Sequence, residues 1–325
     1  MGFSRLFGQI ISQPPLPATD FTGKTVIVTG ANVGLGKEAV KHFARLGAKV
    51  VGTARSSAKC AAATTEVEAE TSVPGRTSFW ELDYGSYASV KAFCERATSE
   101  LERLDAVVLN AGVAMRTFEL LEGEESSITV NVISTLLLAI LLLPKLRQTA
   151  EAYKVTPYLS VTSSSTHAWA KLPERDASEI FAALSDPNTE TMRARYPNSK
   201  LLQLLAIREL ASRSTSNTPS VIINLVSPGV NSTSLSRSST GLEAVLMKVF
   251  HAIFAWQPEV GARTLVYATV AGEKSHGVLI DHCDAANDIT APWIKTDEGQ
   301  RVQKKVWDDL EKKLEAIEPG ILLRI

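Results

Sequence analysis

The chain has 325 residues, of which 45% are hydrophobic and 21% are charged, a composition typical of a soluble globular protein that can bury a substantial core. The formal net charge of −1 argues against electrostatic binding to nucleic acid or to an anionic membrane surface. Three scattered cysteines, Cys60, Cys94 and Cys283, show no disulfide or metal-site spacing, which predicts free thiols in a reducing, cytoplasmic compartment.

Residues 1–20 are predicted to be an N-terminal extension that precedes the first strand. They lack the basic start, long apolar core and small-residue cleavage site of a signal peptide. Apolar side chains recur at helical spacing over residues 3–11, at Phe3, Leu6, Phe7, Ile10 and Ile11. This pattern favours a short helix docked on its own domain, and the alternative is an anchor on a membrane surface.

Short apolar runs rich in β-branched residues alternate with helical patterns along the rest of the chain. Seven strands are predicted, over residues 24–30, 48–55, 77–83, 105–112, 157–165, 220–229 and 277–281. Helices are predicted over residues 35–47, 86–104 and 126–149 and in the segment after Tyr196. The most apolar run, residues 135–144, is too short to span a membrane and is predicted to be a buried helix. The alternation predicts an α/β fold, a Rossmann-like doubly wound parallel sheet with helices on both faces, in a single domain over residues 21–325.

The first predicted strand runs into a glycine-rich turn, TGANVGLG at 29–36, with a helix directly behind it. Glycines permit a tight turn and a close approach of the backbone to a ligand, and the helix N-terminus offers N–H groups to a pyrophosphate. The turn therefore predicts a dinucleotide site. Its candidate binding residues are Gly30, Asn32, Val33, Gly34, Leu35 and Gly36.

The end of the second predicted strand indicates which dinucleotide is bound. Folds that bind NAD usually place a carboxylate there to hold the ribose hydroxyls, whereas this chain has Thr53, Ala54 and Arg55. A guanidinium suits the 2′-phosphate of NADPH, because it makes charge-assisted hydrogen bonds with phosphate. NADPH is therefore preferred to NADH. Asp83, at the end of the third strand, is either an adenine contact or the N-cap of the following helix.

Several motifs occur in a fixed order that is typical of one enzyme family. They are TGANVGLG at 29–36, LNAG at 109–112, Asn131 within TVNVISTLLL, TSSSTH at 162–167, YPNSK at 196–200 and SPGVNST at 227–233. On these motifs the chain resembles the short-chain dehydrogenases/reductases over roughly residues 21–300. It is most similar to the branch that includes the retinol dehydrogenases.

The resemblance implies roles for a set of site residues. Tyr196 is implied to give or take the proton, and Lys200 to lower the pKa of that tyrosine and to hold the nicotinamide ribose. A serine on the fifth strand is implied to orient the substrate oxygen, and Asn131 to anchor a water that links the lysine to solvent. The implied cofactor contacts are Asn110, Ala111 and Gly112 on the adenosine ribose, and Pro228, Gly229, Val230 and Thr233 on the nicotinamide and pyrophosphate.

The spacing of Tyr196 and Lys200 has a physical reason, because residues four apart lie on one face of a helix. A nearby cation favours the phenolate and is expected to draw the pKa of the tyrosine from near 10 toward 7. Among the three serines at 163–165, the family spacing selects Ser164, and alternation along a strand places its neighbours on the opposite face. Pro197 is tolerable if it falls in the first turn of the helix and is disruptive deeper in it.

These residues predict an NADPH-dependent oxidoreductase that interconverts a carbonyl and an alcohol on a neutral, lipophilic small molecule, such as a polyketide, a terpenoid or a retinoid-like compound. The alternative is a catalytically silent NADP(H)-binding regulatory or scaffold protein. A serine hydrolase is disfavoured because the sequence has no G-x-S-x-G elbow. His276, His282 and Cys283 fit no strict metal motif, so no metal is predicted.

A substrate lid is predicted over about residues 231–257, where a serine-rich stretch precedes an apolar stripe at helical spacing. The alternative is that this helix only packs on the sheet. Assembly into a homo-oligomer is left open by the sequence.

Overall fold

The protein is described by a computed structural model over residues 9, 12–188, 192–214, 221–231 and 254–325. Ten strands occur in these residues: β1 (Thr25–Val28), β2 (Lys49–Ala54), β3 (Thr77–Glu81), β4 (Ala106–Leu109), β5 (Leu120–Leu121), β6 (Glu124–Glu125), β7 (Tyr158–Thr162), β8 (Ile222–Ser227), β9 (Leu279–Asp281) and β10 (Asp284–Asp288). Every residue of β1, β4 and β8 is buried, because helices cover both faces of the sheet. All seven predicted strands are confirmed.

Eight of these strands form one sheet, in the order β10-β9-β8-β7-β4-β1-β2-β3. β1 pairs in parallel with both of its neighbours, through Val26 and Val50 of β2 and through Val26 and Ala106 of β4. The chain builds the sheet outward from β1 to β3 and then crosses to β4 on the other side. This reversal creates a topological switch point at the carboxyl ends of β1 and β4, where doubly wound folds bind their ligands. The predicted doubly wound α/β fold is confirmed.

Eight α-helices of five residues or more occur in the described chain: α1 (Gly34–Arg45), α2 (Ser57–Thr71), α3 (Tyr87–Glu100), α4 (Ser134–Tyr153), α5 (Ile180–Leu184), α6 (Met192–Ser214), α7 (Pro258–Ala268) and α8 (Asp297–Ile317). Their apolar faces divide the core into two layers. α1, α2 and α7 pack on one face of the sheet, and α3, α4, α6 and α8 pack on the other.

The most apolar helix crosses the centre of the second layer. A short helical turn, Ser126–Ile128, and a π-helical turn, Thr129–Ile133, lead directly into α4. The whole stretch of 28 residues is long and apolar enough to cross a membrane, yet its most apolar window is entirely buried inside the protein. The predicted buried helix is therefore confirmed, but the argument from length is wrong. Burial, not shortness, identifies it as a core helix.

β10 is a strand that the sequence analysis did not predict. It pairs antiparallel with β9 through a turn in which His282 and Cys283 have positive φ angles of 52° and 55°. Its sequence, DAAND, is largely exposed and has no apolar alternation, which is the usual sign of a strand.

Only part of the N-terminal extension is described. Pro14 is buried, and its carbonyl oxygen accepts a hydrogen bond of 2.9 Å from Arg263 of α7. The apolar residues of the predicted helix, Phe3, Leu6, Phe7, Ile10 and Ile11, lie outside the described residues, and Gln9 is the one residue between 3 and 11 that is described. The predicted lid also lies outside them, apart from residue 231 and residues 254–257. The division between residues 1–20 and 21–325 stays a prediction.

Candidate active site

The glycine-rich turn lies at the switch point, between β1 and α1. Gly30 has a φ of +61°, and a Cβ added there would lie 2.9 Å from the Cα of Ala111. A Cβ added to Gly36 would lie 2.5 Å from the carbonyl oxygen of Gly30. Glycine is required at both positions, because the turn packs directly against the loop that follows β4.

The loop after β4 is bonded to the start of the same turn. The backbone N–H groups of Asn110 and Ala111 donate to the hydroxyl of Thr29, at 3.0 and 3.1 Å. The side-chain amide of Asn110 donates to the Thr29 carbonyl at 3.0 Å. The structure therefore brings Gly30 together with Asn110 and Ala111, as a shared dinucleotide site requires.

α1 begins beside this turn without a side-chain cap. Its N-cap residue is Val33, which has no group that could accept a hydrogen bond from the first turn. The first N–H groups of a helix have no acceptor within the helix, and they carry the positive end of its dipole. An uncapped N-terminus behind a tight glycine turn fits a pyrophosphate. Gly34, Leu35 and Gly36 are the residues that would hold it.

Arg55 lies next to this anion site. The N–H of Gly30 donates to the hydroxyl of Thr53 at 3.1 Å, so the end of β2 is bonded to the glycine turn. Arg55 follows two residues later and is exposed, and it has no hydrogen bond or ion pair with any described residue. Its guanidinium is therefore available to a phosphate on the ribose.

Asp83 does not cap α3, so that interpretation is wrong. Ser86 is the N-cap residue, and its hydroxyl accepts from the N–H of Ser89 at 3.3 Å. The carboxylate of Asp83 instead accepts from the N–H of Gly85 at 2.9 Å, because the chain makes one more turn before the helix starts. The adenine contact of Asp83 stays a prediction.

Ser164 follows the end of β7 and faces Tyr196 of α6. Of the three consecutive serines, Ser163 and Ser165 are buried, whereas Ser164 is partly exposed. The hydroxyl of Ser164 lies close enough to the phenol of Tyr196 to lower the pKa of that tyrosine. The structure thus brings together the serine and the tyrosine that the sequence selected.

Lys200 lies one helical turn after Tyr196 and is buried. Its Nζ donates to the carbonyl oxygen of Thr162 at 2.9 Å and to Oε1 of Gln203 at 3.0 Å. The same nitrogen lies 6.0 Å from the centre of the Tyr196 ring. The ammonium is therefore fixed between the end of β7 and α6, on the side of the phenol.

The pKa values of this pair move in opposite directions. Burial raises the pKa of Tyr196 to about 12, and the neighbouring Ser164 hydroxyl offsets part of that rise. Burial lowers the pKa of Lys200 to about 7. The prediction that Lys200 draws the phenol toward 7 is therefore wrong for the protein chain by itself, because desolvation disfavours the charged form of each group.

Asn131 lies in the π-helical turn ahead of α4, in a local geometry that is frequent at functional sites. Its main-chain carbonyl accepts a hydrogen bond of 2.7 Å from Nε2 of Gln203. Its side-chain amide donates to the carbonyl of Val113 at 2.8 Å and to the hydroxyl of Ser199 at 2.9 Å. Asn131 therefore connects the loop after β4 with α6. Its implied role in anchoring a water stays a prediction.

Gln203 is a site residue that the sequence analysis missed. Its side chain joins Lys200 to the carbonyl of Asn131, a connection that the resemblance assigns to a water. The signal in the sequence is the single amide within the apolar run LLQLLAI at 201–207. Because Gln203 is three residues after Lys200, the two side chains lie on one face of the helix.

Tyr196 does not open its helix. α6 is already helical at Met192, so Pro197 is at least its sixth residue and lies beyond the first turn. Pro197 was expected to be tolerated only in the first turn of the helix. It lies deeper than that, yet the helix continues to Ser214. Residues 200–207 are all buried, and this packing favours continuation of the helix.

Two buried contacts hold the segment between Ser164 and Tyr196. Nδ1 of His167 lies 2.8 Å from the carbonyl of Ser164, and the N–H of Ala291 donates to Nε2 of His167 at 3.1 Å. Since Nε2 accepts, Nδ1 carries the proton and donates to Ser164. Arg195 and Glu174 form an ion pair at 3.3 Å, with side chains only 1% and 4% exposed.

The loop after β8 begins beside the serine cluster. The N–H of Ser163 donates to the carbonyl of Val226 at 2.9 Å. The loop then turns at Gly229, with a φ of +74°, and the side chain of Asn231 donates to the carbonyl of Pro228 at 2.7 Å. Pro228, Gly229 and Val230 are thus brought to the site. Thr233 lies outside the described residues.

The two histidines with loose metal-ligand spacing, His276 and His282, are engaged elsewhere. The N–H of Ile223 donates to Nδ1 of His276 at 3.2 Å, and Nε2 of His276 lies 2.9 Å from the carbonyl of Ala211. Nδ1 of His282 lies 2.8 Å from the carboxylate of Asp281. Across the described residues, no three histidine, cysteine or acidic side chains are grouped to hold a metal ion.

Comparison with known proteins places this site in a family. The short chain dehydrogenase pattern matches residues 24–168. A short chain dehydrogenase/reductase of Cryptosporiopsis sp. (dmxR8) is 40% identical over 99% of this chain and 99% of its own length. A short-chain dehydrogenase of Penicillium roqueforti (anuD) is 37% identical over 98% of this chain and 84% of its own length.

Solved structures share the fold at lower identity. A protein from Mycobacterium paratuberculosis has a TM-score of 0.64 and 23% identity, covering 90% of this chain and 95% of its own. The Pseudomonas aeruginosa RhlG/NADP complex has a TM-score of 0.61 and 22% identity, covering 81% and 95%. The family pattern, the two fungal relatives and the shared fold agree, and this chain belongs to the short-chain dehydrogenase/reductase family of oxidoreductases.

Proposed function

We propose that this protein is an NADPH-dependent oxidoreductase that interconverts a carbonyl and an alcohol on a neutral, lipophilic small molecule. The observation that carries the proposal is that the Ser164 hydroxyl and the buried Lys200 both lie next to the Tyr196 phenol. These three side chains lie near the carboxyl ends of the central strands. The glycine turn and the loop after β8 lie at the same ends. A proton donor and a cation are therefore next to a dinucleotide site.

The arrangement suits a reduction in which the protein supplies the proton. NADPH, when bound, supplies a hydride to the carbonyl carbon. Ser164 donates a hydrogen bond to the oxygen on which charge develops, and Tyr196 gives that oxygen its proton. The phenol holds its proton at neutral pH, because its pKa is about 12. The charged form of Lys200 then stabilises the phenolate.

The preference for NADPH rests on Arg55. Neighbours with this fold include a complex with NADP and a 3-ketoacyl-(acyl-carrier-protein) reductase of Brucella melitensis with NADH. The fold alone therefore does not decide between the two cofactors. An exposed guanidinium without a partner among the described residues, at the end of β2, supports recognition of the 2′-phosphate.

The proposed substrate is apolar and neutral, such as a secondary metabolite. Trp169 follows Ser164 by five residues and is 57% exposed, which is unusual for so large an aromatic side chain and suits contact with an apolar ligand. The sequence of residues 242–254 adds an apolar stripe after the loop that covers the nicotinamide in the family. An anionic substrate would require a cluster of basic side chains. Neither the sequence next to Trp169 nor residues 242–254 has one.

The test is purified protein with NADPH and a graded panel of aldehydes and ketones, followed at the nicotinamide absorbance. We expect NADPH oxidation, with kcat/KM rising as the apolar surface of the substrate increases. Preference for small polar aldehydes would contradict the substrate class. Binding of NADPH without oxidation of any carbonyl or alcohol would instead support the silent scaffold.

A further inference from the structure

Gln9 of the N-terminal extension contacts the backbone of the loop after β8. Its side-chain Oε1 accepts from the N–H of Val230 at 3.0 Å, and its Nε2 donates to the carbonyl of Val230 at 2.6 Å. One amide side chain thus satisfies both backbone groups of a single residue, although 221 positions separate the two in sequence. Gln9 is only 1% exposed, so these bonds are protected from water.

The same residue reaches the far end of the segment that follows this loop. Nε2 of Gln9 also donates to the carbonyl of Phe254 at 2.9 Å, and the indole N–H of Trp256 donates to the main-chain carbonyl of Gln9 at 2.8 Å. A side-chain amide nitrogen has two protons, and here each has its own acceptor. Val230 and Trp256 are also directly bonded, through a backbone hydrogen bond of 2.9 Å.

Gly229 provides the space for this contact. It has a φ of +74°, which favours glycine, and a Cβ added there would lie 2.9 Å from Oε1 of Gln9. Pro228, Gly229 and Val230 are among the residues that the family resemblance implies as contacts of the nicotinamide and pyrophosphate. Gln9 therefore lies directly behind the predicted cofactor contact.

We propose that Gln9 is a positioning residue that fixes the cofactor-covering loop and joins the two ends of the segment 231–254. Gln9 is bonded to Val230 at the start of that segment and to Phe254 at its end, so one side chain connects both ends. The inference rests on the proposed function, because Val230 matters for catalysis only if a nicotinamide is bound there. It assigns the N-terminal extension a role in cofactor binding.

The test compares Gln9→Ala with Gln13→Ala, a matched control four residues later whose side chain is exposed. Hydrogen exchange of the protein without cofactor is measured first, in peptides that cover residues 221–231 and 254–257. We expect faster exchange at Val230 and Trp256 in Gln9→Ala only. The N–H of Val230 loses its acceptor, and the N–H of Trp256 is bonded to the carbonyl of the same Val230. Unchanged exchange would overturn the inference without reference to activity.

Kinetics then separates positioning from simple stabilisation. We expect Gln9→Ala to raise the KM for NADPH by about tenfold, the scale of one or two lost hydrogen bonds, with a smaller change in kcat. Gln9→Glu keeps the size and the acceptor but sets oxygen against the carbonyls of Val230 and Phe254. It is expected to raise KM at least as much, and it serves as the test if Gln9→Ala does not fold.

Two outcomes identify which proposal fails. A wild-type protein that does not bind NADPH contradicts the proposed function. A wild-type protein that oxidises NADPH, with an unchanged KM in both Gln9 variants, contradicts the positioning role alone, even if the variants melt at a lower temperature.

Discussion

The side chain of Gln203 connects Lys200 to Asn131, accepting from the lysine at 3.0 Å and donating to the asparagine carbonyl at 2.7 Å. All three groups are buried. The lysine therefore has a neutral amide and the Thr162 carbonyl as partners, and none of these carries a compensating charge. This explains why burial dominates its titration and lowers its pKa to about 7.

This environment predicts the pH dependence of carbonyl reduction. Above a pH of about 7 Lys200 loses its proton, whereas Tyr196 keeps its proton up to about 12. We therefore expect kcat/KM to fall as the pH rises through about 7, because the uncharged amine no longer stabilises the phenolate.

Gln203→Glu should move that fall to higher pH. A carboxylate beside Lys200 favours the ammonium, so it raises the pKa of the lysine, by about one unit or more. Gln148→Glu, with the same charge change at an exposed position, should leave the profile where it is. Identical profiles for Gln203→Glu and the wild type would show that Lys200 does not control the alkaline limb.

Removal of the proton donor gives a second prediction. Tyr196→Phe keeps the ring and removes the hydroxyl beside Ser164, so turnover should fall by about two to four orders of magnitude. NADPH should still bind, as measured by fluorescence titration. Tyr153→Phe, at a tyrosine whose hydroxyl donates to Glu102 at the surface, is the control and should turn over normally. Near-normal turnover in Tyr196→Phe would exclude this tyrosine as the acid.

The strands were predictable because their physical signal is local. β1, β4 and β8 are short runs of apolar, often β-branched residues, as strands buried on both faces should be. β10 could not be found this way, since DAAND is mostly exposed and its turn uses His282 and Cys283 at positive φ, where glycine or asparagine is the usual signal. Its pairing depends on β9, which is a tertiary effect.

The site was predictable where a motif identified it, and less so where long-range contacts built it. The serine cluster and the Tyr196–Lys200 spacing were visible in the sequence. The buried state that sets their pKa values depends on packing from several elements, so the expected shift of Tyr196 had the wrong sign. Gln9 is 221 residues from Val230, and no local pattern indicates that contact.

Cofactor choice gives a third prediction, which depends on Arg55. Arg55→Ala should weaken NADPH binding by about 1.5–3 kcal/mol, the scale of a charge-assisted hydrogen bond, and leave NADH binding nearly unchanged. Titration of both cofactors by calorimetry measures this difference. Arg301→Ala, the same charge change at an exposed position on α8, is the control. Equal affinity of the wild-type protein for NADPH and NADH would show that Arg55 does not recognise the 2′-phosphate.

The C-terminal helix α8 gives a prediction about stability. Trp307 is fully buried, its indole N–H donates to Glu311 at 2.8 Å, and the guanidinium of Arg213 on α6 lies 4.9 Å from the centre of its ring. The helix that carries Tyr196 and Lys200 thus packs against α8. Loss of so large a buried side chain leaves a cavity that the surrounding helices fill only in part.

Trp307→Ala should therefore lower the free energy of unfolding by about 3–5 kcal/mol, measured by urea denaturation. Leu323→Ala, at a side chain that is 92% exposed near the C-terminus, should change it by less than about 0.5 kcal/mol. If both variants unfold at the urea concentration of the wild type, α8 is not part of the cooperative core. If only Trp307→Ala unfolds early, α8 stabilises the layer that holds the catalytic helix.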